Sequence, residues 1–168
     1  QVGGDDGERA GGVGLGEKRG EVVDAARGVR ILHKHAEDIA LEFKSAVVAR
    51  DDLDAERLGA RLRKIQFAAV WTSPLIRAAR TCELAGFGGI AKVDPDLVEW
   101  NYGEYEGLTN AQIKERHPGW RVFEHGCPGG ETPEQVAARA DRVLARARAA
   151  DGNVLLFSSG HFTRMLGA

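Results

Sequence analysis

The sequence predicts an α/β fold built on a mainly parallel sheet. Two observations carry the class. Short apolar runs of strand length, "FAAVW" at 67–71 and "NVLLF" at 153–157, are separated by segments whose apolar residues recur at helical spacing. Strands alternating with helices imply crossover connections, and hence parallel strands. A third observation places the function: both runs pass through small polar residues straight into a helix start, and sheets of this kind bind ligands beyond the carboxyl ends of their strands.

In chain order, the first twenty residues hold eight glycines among Asp, Glu, Arg and Lys. Such a stretch buries too little apolar surface to offset its ordering entropy, so a disordered tail is expected over 1–20 and a single domain over 21–168. "VRIL" (29–32) reads as a short strand. Ile39, Phe43, Ala46 and Val47 recur at helical spacing and predict a helix over 36–49; Leu58 and Leu62 carry a second one to Lys64. "FAAVW" is the next strand, bounded by Ser-Pro. A helix follows from Leu75 to Ala85, with Gly86 as its C′ residue. "AKVD" (91–94) is a further strand and "NYGEYEGLTN" a loop. Thr109 and Gln112 form a capping box for a short helix that stops before Pro118. "CPGGETPEQ" leads into the clearest helix start in the chain, with Thr132 as N-cap, Pro133 at N1 and Gln135 at N3. Val136, Ala140, Val143, Leu144 and Ala147 mark that helix's apolar face. "NVLLFSS" (153–159) is a strand of the buried type, followed by "GHFTRML".

Composition narrows the function. The 168 residues are 43% hydrophobic and 29% charged, with a net charge of −2. That balance gives no general attraction to nucleic acid or an anionic membrane. No apolar run approaches the roughly 20 residues that span a bilayer. The Gly-rich, acidic start does not read as a secretory signal. Cys82 and Cys127 form no CxxC pair and fit reduced thiols in a cytoplasm, although a bridge between them is also compatible with the sequence. A cytoplasmic location is therefore expected.

Three places carry polar chemistry. Thr72, Ser73 and Arg77 follow "FAAVW"; Ser158, Ser159, Gly160 and His161 follow "NVLLF". Free N–H groups at a helix start attract anions, and the planar fork of Arg matches phosphate oxygens. Arg77 is open between a phosphate clamp and a solvated helix face, and for Arg80 the solvated face is the better reading. Gly160 would let a ligand approach the backbone beside His161, whose role is open between catalytic and structural. Glu99 follows Leu97-Val98 and precedes Trp100, a setting that desolvates a carboxyl and suits a general acid. Glu104 and Glu106, in a Gly-flanked loop, are expected to be solvated.

The segments "TSPLIRAART", "LVEWNYGEYEGLT", "CPGGET" and "LLFSSGHFTRML", in this order, resemble the histidine phosphatase superfamily, the phosphoglycerate-mutase-like fold. The likeness runs from about Leu58 to Leu166. It implies a three-layer α/β/α sandwich and phosphoryl transfer through a phosphohistidine, with neither metal nor other cofactor. It further implies that Arg77 binds the phosphoryl group, that Glu99 is the general acid and that His161 stabilises the transferring charge. Ser73 and Lys34 are added as phosphate ligands. The family's nucleophile lies in an Arg-His-Gly-Glu motif at the end of its first strand. The nearest match here is "VRILHKHAE", which makes His35 the nucleophile and puts Lys34 in the place of the Arg. Lys supplies charge without the fork. Ala36 replaces the Gly, and 38–57 lacks the family's polar, Gly-containing loop.

Family members also continue beyond the second His, whereas this chain has seven residues after His161. The domain is accordingly expected to be incomplete at both ends. The implied activity is hydrolysis of small phosphate monoesters, with sugar phosphates as the substrate class and a small phosphorylated metabolite as the partner; the sequence leaves the oligomeric state open. Three alternatives stand beside it. One is a relative or fragment that binds phosphorylated ligands without turnover. The second is mutase-type phosphoryl transfer, disfavoured by the short stretch between Glu99 and His161. The third is a metal hydrolase using His33, His35 and Glu37 with His125 or Cys127.

Overall fold

The computed structural model describes residues 27–34, 41–49 and 52–167. The tail expected over 1–20, and His35, lie outside the described residues. The sheet has five strands, β1 (Arg27–Lys34), β2 (Leu41–Ala49), β3 (Ala69–Thr72), β4 (Lys92–Val93) and β5 (Val154–Ser159), in the order β2-β1-β5-β3-β4. The helices are α1 (Asp52–Leu62), α2 (Ile76–Leu84), α3 (Asn110–Arg116), α4 (Val122–His125), α5 (Pro133–Ala149) and α6 (Gly160–Met165).

The class is α/β, as expected. β5, β3 and β4 run parallel, while β1 pairs antiparallel with both β2 and β5. Chain length explains the difference at β1 and β2. Only residues 35–40 connect them, and a parallel pair needs a crossover of about a dozen residues or more. The helix expected over 36–49 is thus replaced by a strand over Leu41–Ala49. The alternation Leu41-Glu42-Phe43-Lys44 and the β-branched pair Val47-Val48 suit a strand once a partner is at hand.

The three layers follow from β5, which is buried along its whole length. Leu155 and Phe157 pack with Leu58 and Leu62 of α1 and Cys82 of α2. Val154 and Leu156 belong to the other core, with Val136 and Val143 of α5 and Phe162 of α6. A strand covered on both faces reads as an unbroken apolar run, which is why "VLLF" shows no alternation. α1 and α2 cross closely: a Cβ on Gly59 would lie 2.4 Å from the Ala85 carbonyl oxygen. The cysteines sit in different cores, Cys82 in one and Cys127 in the other, and both are free. Burial pushes their thiols up to about 12 and about 11, so neither is a ready thiolate.

α5 begins where its signals put it. Thr132 and Gln135 exchange both bonds of a capping box behind Pro133, and Val136, Ala140, Val143 and Ala147 are buried. α3 starts on the equivalent box at Thr109. Among the described residues no helix is long and apolar enough to cross a membrane.

Candidate active site

The parallel strands end at the site. Beyond Thr72, the Ser73 N–H donates to the Phe157 carbonyl at 2.8 Å and prolongs the pairing of β3 with β5. Ser73 Oγ then accepts from Leu75 N–H at 3.2 Å, closing a Ser turn that feeds α2. This turn presents Arg77 on the first turn of α2. Arg77 Nε donates to Ser159 Oγ, at the end of β5, at 3.0 Å. One bond therefore aims the guanidinium, and among the described residues its outer nitrogens have no hydrogen-bond partner. Ser73 itself is completely buried. It offers no surface to a ligand, so its expected place among the phosphate ligands is corrected to that of a turn residue.

Arg80, one helical turn on, points elsewhere. It lies within 3.6 Å of Asp52 and 3.8 Å of Glu83 on the exposed face. The solvated reading of that residue agrees with this geometry.

Glu99 arrives by a different route. Asp94 caps a one-turn 3-10 helix over Pro95–Leu97, and Ser158 Oγ donates to the Leu97 carbonyl at 2.6 Å. That turn carries the chain from the sheet edge to the end of β5. The Glu99 carboxyl is buried and faces α6. Its Oε1 accepts from Trp100 N–H and Phe162 N–H, each at 2.9 Å, and its Oε2 from His161 N–H at 3.2 Å. Burial raises its proton affinity above the ordinary carboxylate range. The three N–H groups and the Arg77 charge oppose that rise without cancelling it.

His161 sits on the first turn of α6, its Nδ1 bonded to the Tyr102 hydroxyl at 2.5 Å. Burial, with help from the Glu99 charge, holds the phenol protonated. Phe123 and Tyr102 meet the imidazole edge to face. A cavity of about 390 Å³ is walled by Arg77, Glu99, Trp100, Tyr102, Tyr105 and Glu106, among others.

The structure thus brings together Arg77, Glu99 and His161, from three segments separated in sequence. It does not bring Lys34 to them. β1 runs opposite to β5, with Arg27 beside Ser159 and Leu32 beside Val154. Lys34 closes β1 at the amino end of β5, a strand's length from Arg77, because the hairpin pairing fixes that direction. This backbone placement lends no support to the expected role of Lys34 as a phosphate ligand.

The comparisons with known proteins fit this geometry. The profile of the histidine phosphatase superfamily (branch 1) matches residues 49–168. The chain belongs to the histidine phosphatase superfamily. Among its relatives in that superfamily, an acid phosphatase of Mycobacterium tuberculosis is 47% identical over 94 residues, which are 55% of this chain and 46% of that protein. A sedoheptulose 1,7-bisphosphatase of Saccharomyces cerevisiae is 32% identical over 126 residues, 59% of this chain and 46% of that one. The chain spans about half the length of these curated relatives. A solved mycobacterial glucosyl-3-phosphoglycerate phosphatase in complex with inorganic phosphate superposes with a TM-score of 0.62. It is 27% identical and covers 86% of this chain and 78% of that one.

Sequence reasoning missed two parts of this candidate site. Tyr102 falls in a segment that reads as loop, although an aromatic hydroxyl two residues after a Trp in a Gly-flanked turn is a hint. The loop "CPGGET" shows no reason for its glycines in the sequence alone. The structure supplies one: a Cβ on Gly103 would lie 2.3 Å from Gly130 N, and one on Gly130 would lie 2.2 Å from the Asn101 carbonyl oxygen. The two loops touch backbone to backbone, and Gly103, at φ +53°, also needs the left-handed region.

Proposed function

We propose that this chain hydrolyses small phosphate monoesters, sugar phosphates first among them, through a phosphohistidine for which His35 is the sequence's candidate. The observation that carries the hydrolase reading is the meeting of the Arg77 guanidinium fork and the buried Glu99 carboxyl on one cavity at the ends of β3 and β5, with the His161 backbone N–H bonded to that carboxyl. In the first step the nucleophilic histidine nitrogen attacks phosphorus and the ester P–O bond breaks. Arg77 and His161 bear the charge on the equatorial oxygens, and Glu99 gives its proton to the departing alkoxide. In the second step water attacks the phosphohistidine and the P–N bond breaks. Glu99 takes up a proton from the water, and inorganic phosphate leaves. The sugar-phosphate class rests on the named activities of the relatives.

A second reading is favoured by one observation, the direction of β1. It sets Lys34, the neighbour of His35, at the far end of the sheet from Arg77. A chain that binds phosphorylated ligands without turnover would have this arrangement. One experiment separates the two. The purified chain is assayed on a panel of phosphomonoesters in the presence of chelator, and labelled substrate is trapped in acid. The hydrolase reading expects turnover and an acid-labile adduct that His35→Ala abolishes. Phosphate binding with no turnover on any ester supports the second reading. Turnover with an adduct that survives His35→Ala keeps the hydrolase and removes His35 as its nucleophile.

A further inference from the structure

The most heavily bonded side chain behind the site takes no part in the steps above. Arg139 of α5 is buried, and its guanidinium spends its donors on one segment. Its Nη1 bonds the Asp96 and Val98 carbonyls, both at 2.7 Å, and its Nη2 reaches the Glu99 carbonyl at 3.3 Å. Its other bonds go to Glu131, from Nε at 3.0 Å and from Nη2 at 2.9 Å, the bidentate form of an Arg–carboxylate pair. Glu131 in turn grips the far side of Glu99: its Oε2 accepts from Asn101 N–H at 2.8 Å, and its carbonyl accepts from Trp100 Nε1 at 2.9 Å. Arg139 also lies 4.3 Å over the ring of Phe162, the residue whose N–H binds the Glu99 carboxyl. The residues before Glu99, those after it, and one of its carboxyl donors are therefore all fastened to one ion pair.

We infer that Glu131 and the buried Arg139 form a clasp that sets where the Glu99 carboxyl stands, making them positioning residues for proton delivery to the leaving group. This rests on the general-acid reading of Glu99. Neither side chain touches the cavity, so the clasp acts only through the 96–101 segment and Phe162. Chemistry dictates the residue types. Three converging carbonyls need a donor-only group with several N–H bonds in a plane, and a buried guanidinium needs a carboxylate beside it. This also gives "CPGGET" its purpose: the glycines bring the loop close enough for Glu131 to reach Asn101.

The test uses Arg139→Lys, which keeps the charge but holds fewer carbonyls, and Glu131→Gln, which keeps the volume and the backbone pairing with Asn101. Turnover is measured on an alkyl phosphate and on nitrophenyl phosphate, together with the affinity for inorganic phosphate. The titration midpoint of the Glu99 carboxyl is followed by carbon-13 NMR. The clasp predicts a loss of about 10–10²-fold on the alkyl ester, the scale of an ångström-level misplacement. Nitrophenyl phosphate turnover and phosphate affinity should stay within about threefold. The Glu99 midpoint should fall as water gains access. Equal losses on both esters, or a parallel loss of phosphate affinity, would overturn the inference. If the parent chain turns over no ester, the hydrolase reading has failed, and the midpoint alone decides: a fall in either variant supports the clasp, and no change in either overturns it. Should Arg139→Lys melt below the assay temperature, Glu131→Gln carries the result.

Discussion

Arg77→Ala is expected to lower kcat for phosphate monoesters by about 10²–10³-fold, the cost of removing one preorganised donor from a developing anion. The expectation follows from how the side chain is held. Its Nε is committed to Ser159 Oγ at 3.0 Å, which leaves the outer edge of the guanidinium to meet two oxygens of one phosphoryl group. Arg77→Lys keeps the charge and loses both the fork and the leash, so it should recover only part of the rate. Arg80→Ala serves as the control, since that side chain faces Asp52 and Glu83 on the outer surface, and it should alter kcat by less than about twofold. Steady-state rates and inorganic phosphate affinity measure all three. An Arg77→Ala enzyme as active as its parent would remove the clamp from the mechanism.

Glu99→Gln should slow turnover of esters with poor leaving groups by about 10²–10⁴-fold and matter far less for a nitrophenolate, which departs with little need of a proton. Glu104→Gln, on the exposed loop, should change either rate little. The carboxyl also leaves a mark on stability, and its sign is fixed by linkage. Because burial raises the proton affinity of Glu99 in the folded chain, its favourable contribution is complete below the ordinary glutamate range. It is lost as pH rises through the raised value. Gln cannot ionise, so the substitution should remove that decline from the melting temperature measured against pH. A variant that loses both leaving groups equally, or that keeps the parent's pH profile, would contradict the acid role.

What the sequence made legible was what neighbouring residues determine. The start of α5 is written in Thr132, Pro133 and Gln135, and the structure begins the helix there. β3 and β5 announce themselves because strands buried on both faces need unbroken apolar runs. Arg77, Glu99 and His161 were legible because each follows an apolar segment whose burial fixes where the next residue stands. β2 was not, since 41–49 satisfies helical spacing and strand alternation alike, and only the pairing with β1 chooses between them. The direction of β1, which sets where Lys34 stands, was hidden for the same reason: it is a tertiary fact. Ser73 shows that a polar residue at a strand end is as readily spent on its own turn. The clasp was invisible because Arg139 binds carbonyls about 40 residues away, and a carbonyl belongs to every residue type and leaves no signature.

The contact between Gly103 and Gly130 also makes the intervening chain a module. Glu104 N–H donates to the Pro128 carbonyl at 2.9 Å, so residues 105–127 leave the site and return through one fixed gate. The far wall of the cavity, including Tyr105 and Glu106, belongs to this excursion, whereas Arg77, Glu99 and His161 do not. Closing a loop costs only about 0.6 kcal/mol more for each doubling of its length. The excursion is therefore free to lengthen or be exchanged, provided that Ile113, Trp120 and Val122 keep their places in the core. Chimaeras carrying a relative's excursion between the same two glycines should exchange substrate preference while nitrophenyl phosphate turnover holds, and a collapse of that turnover would show the gate to be leaky. On the hydrolase reading, the choice of ester can be retuned at this gate while the chemistry is left alone.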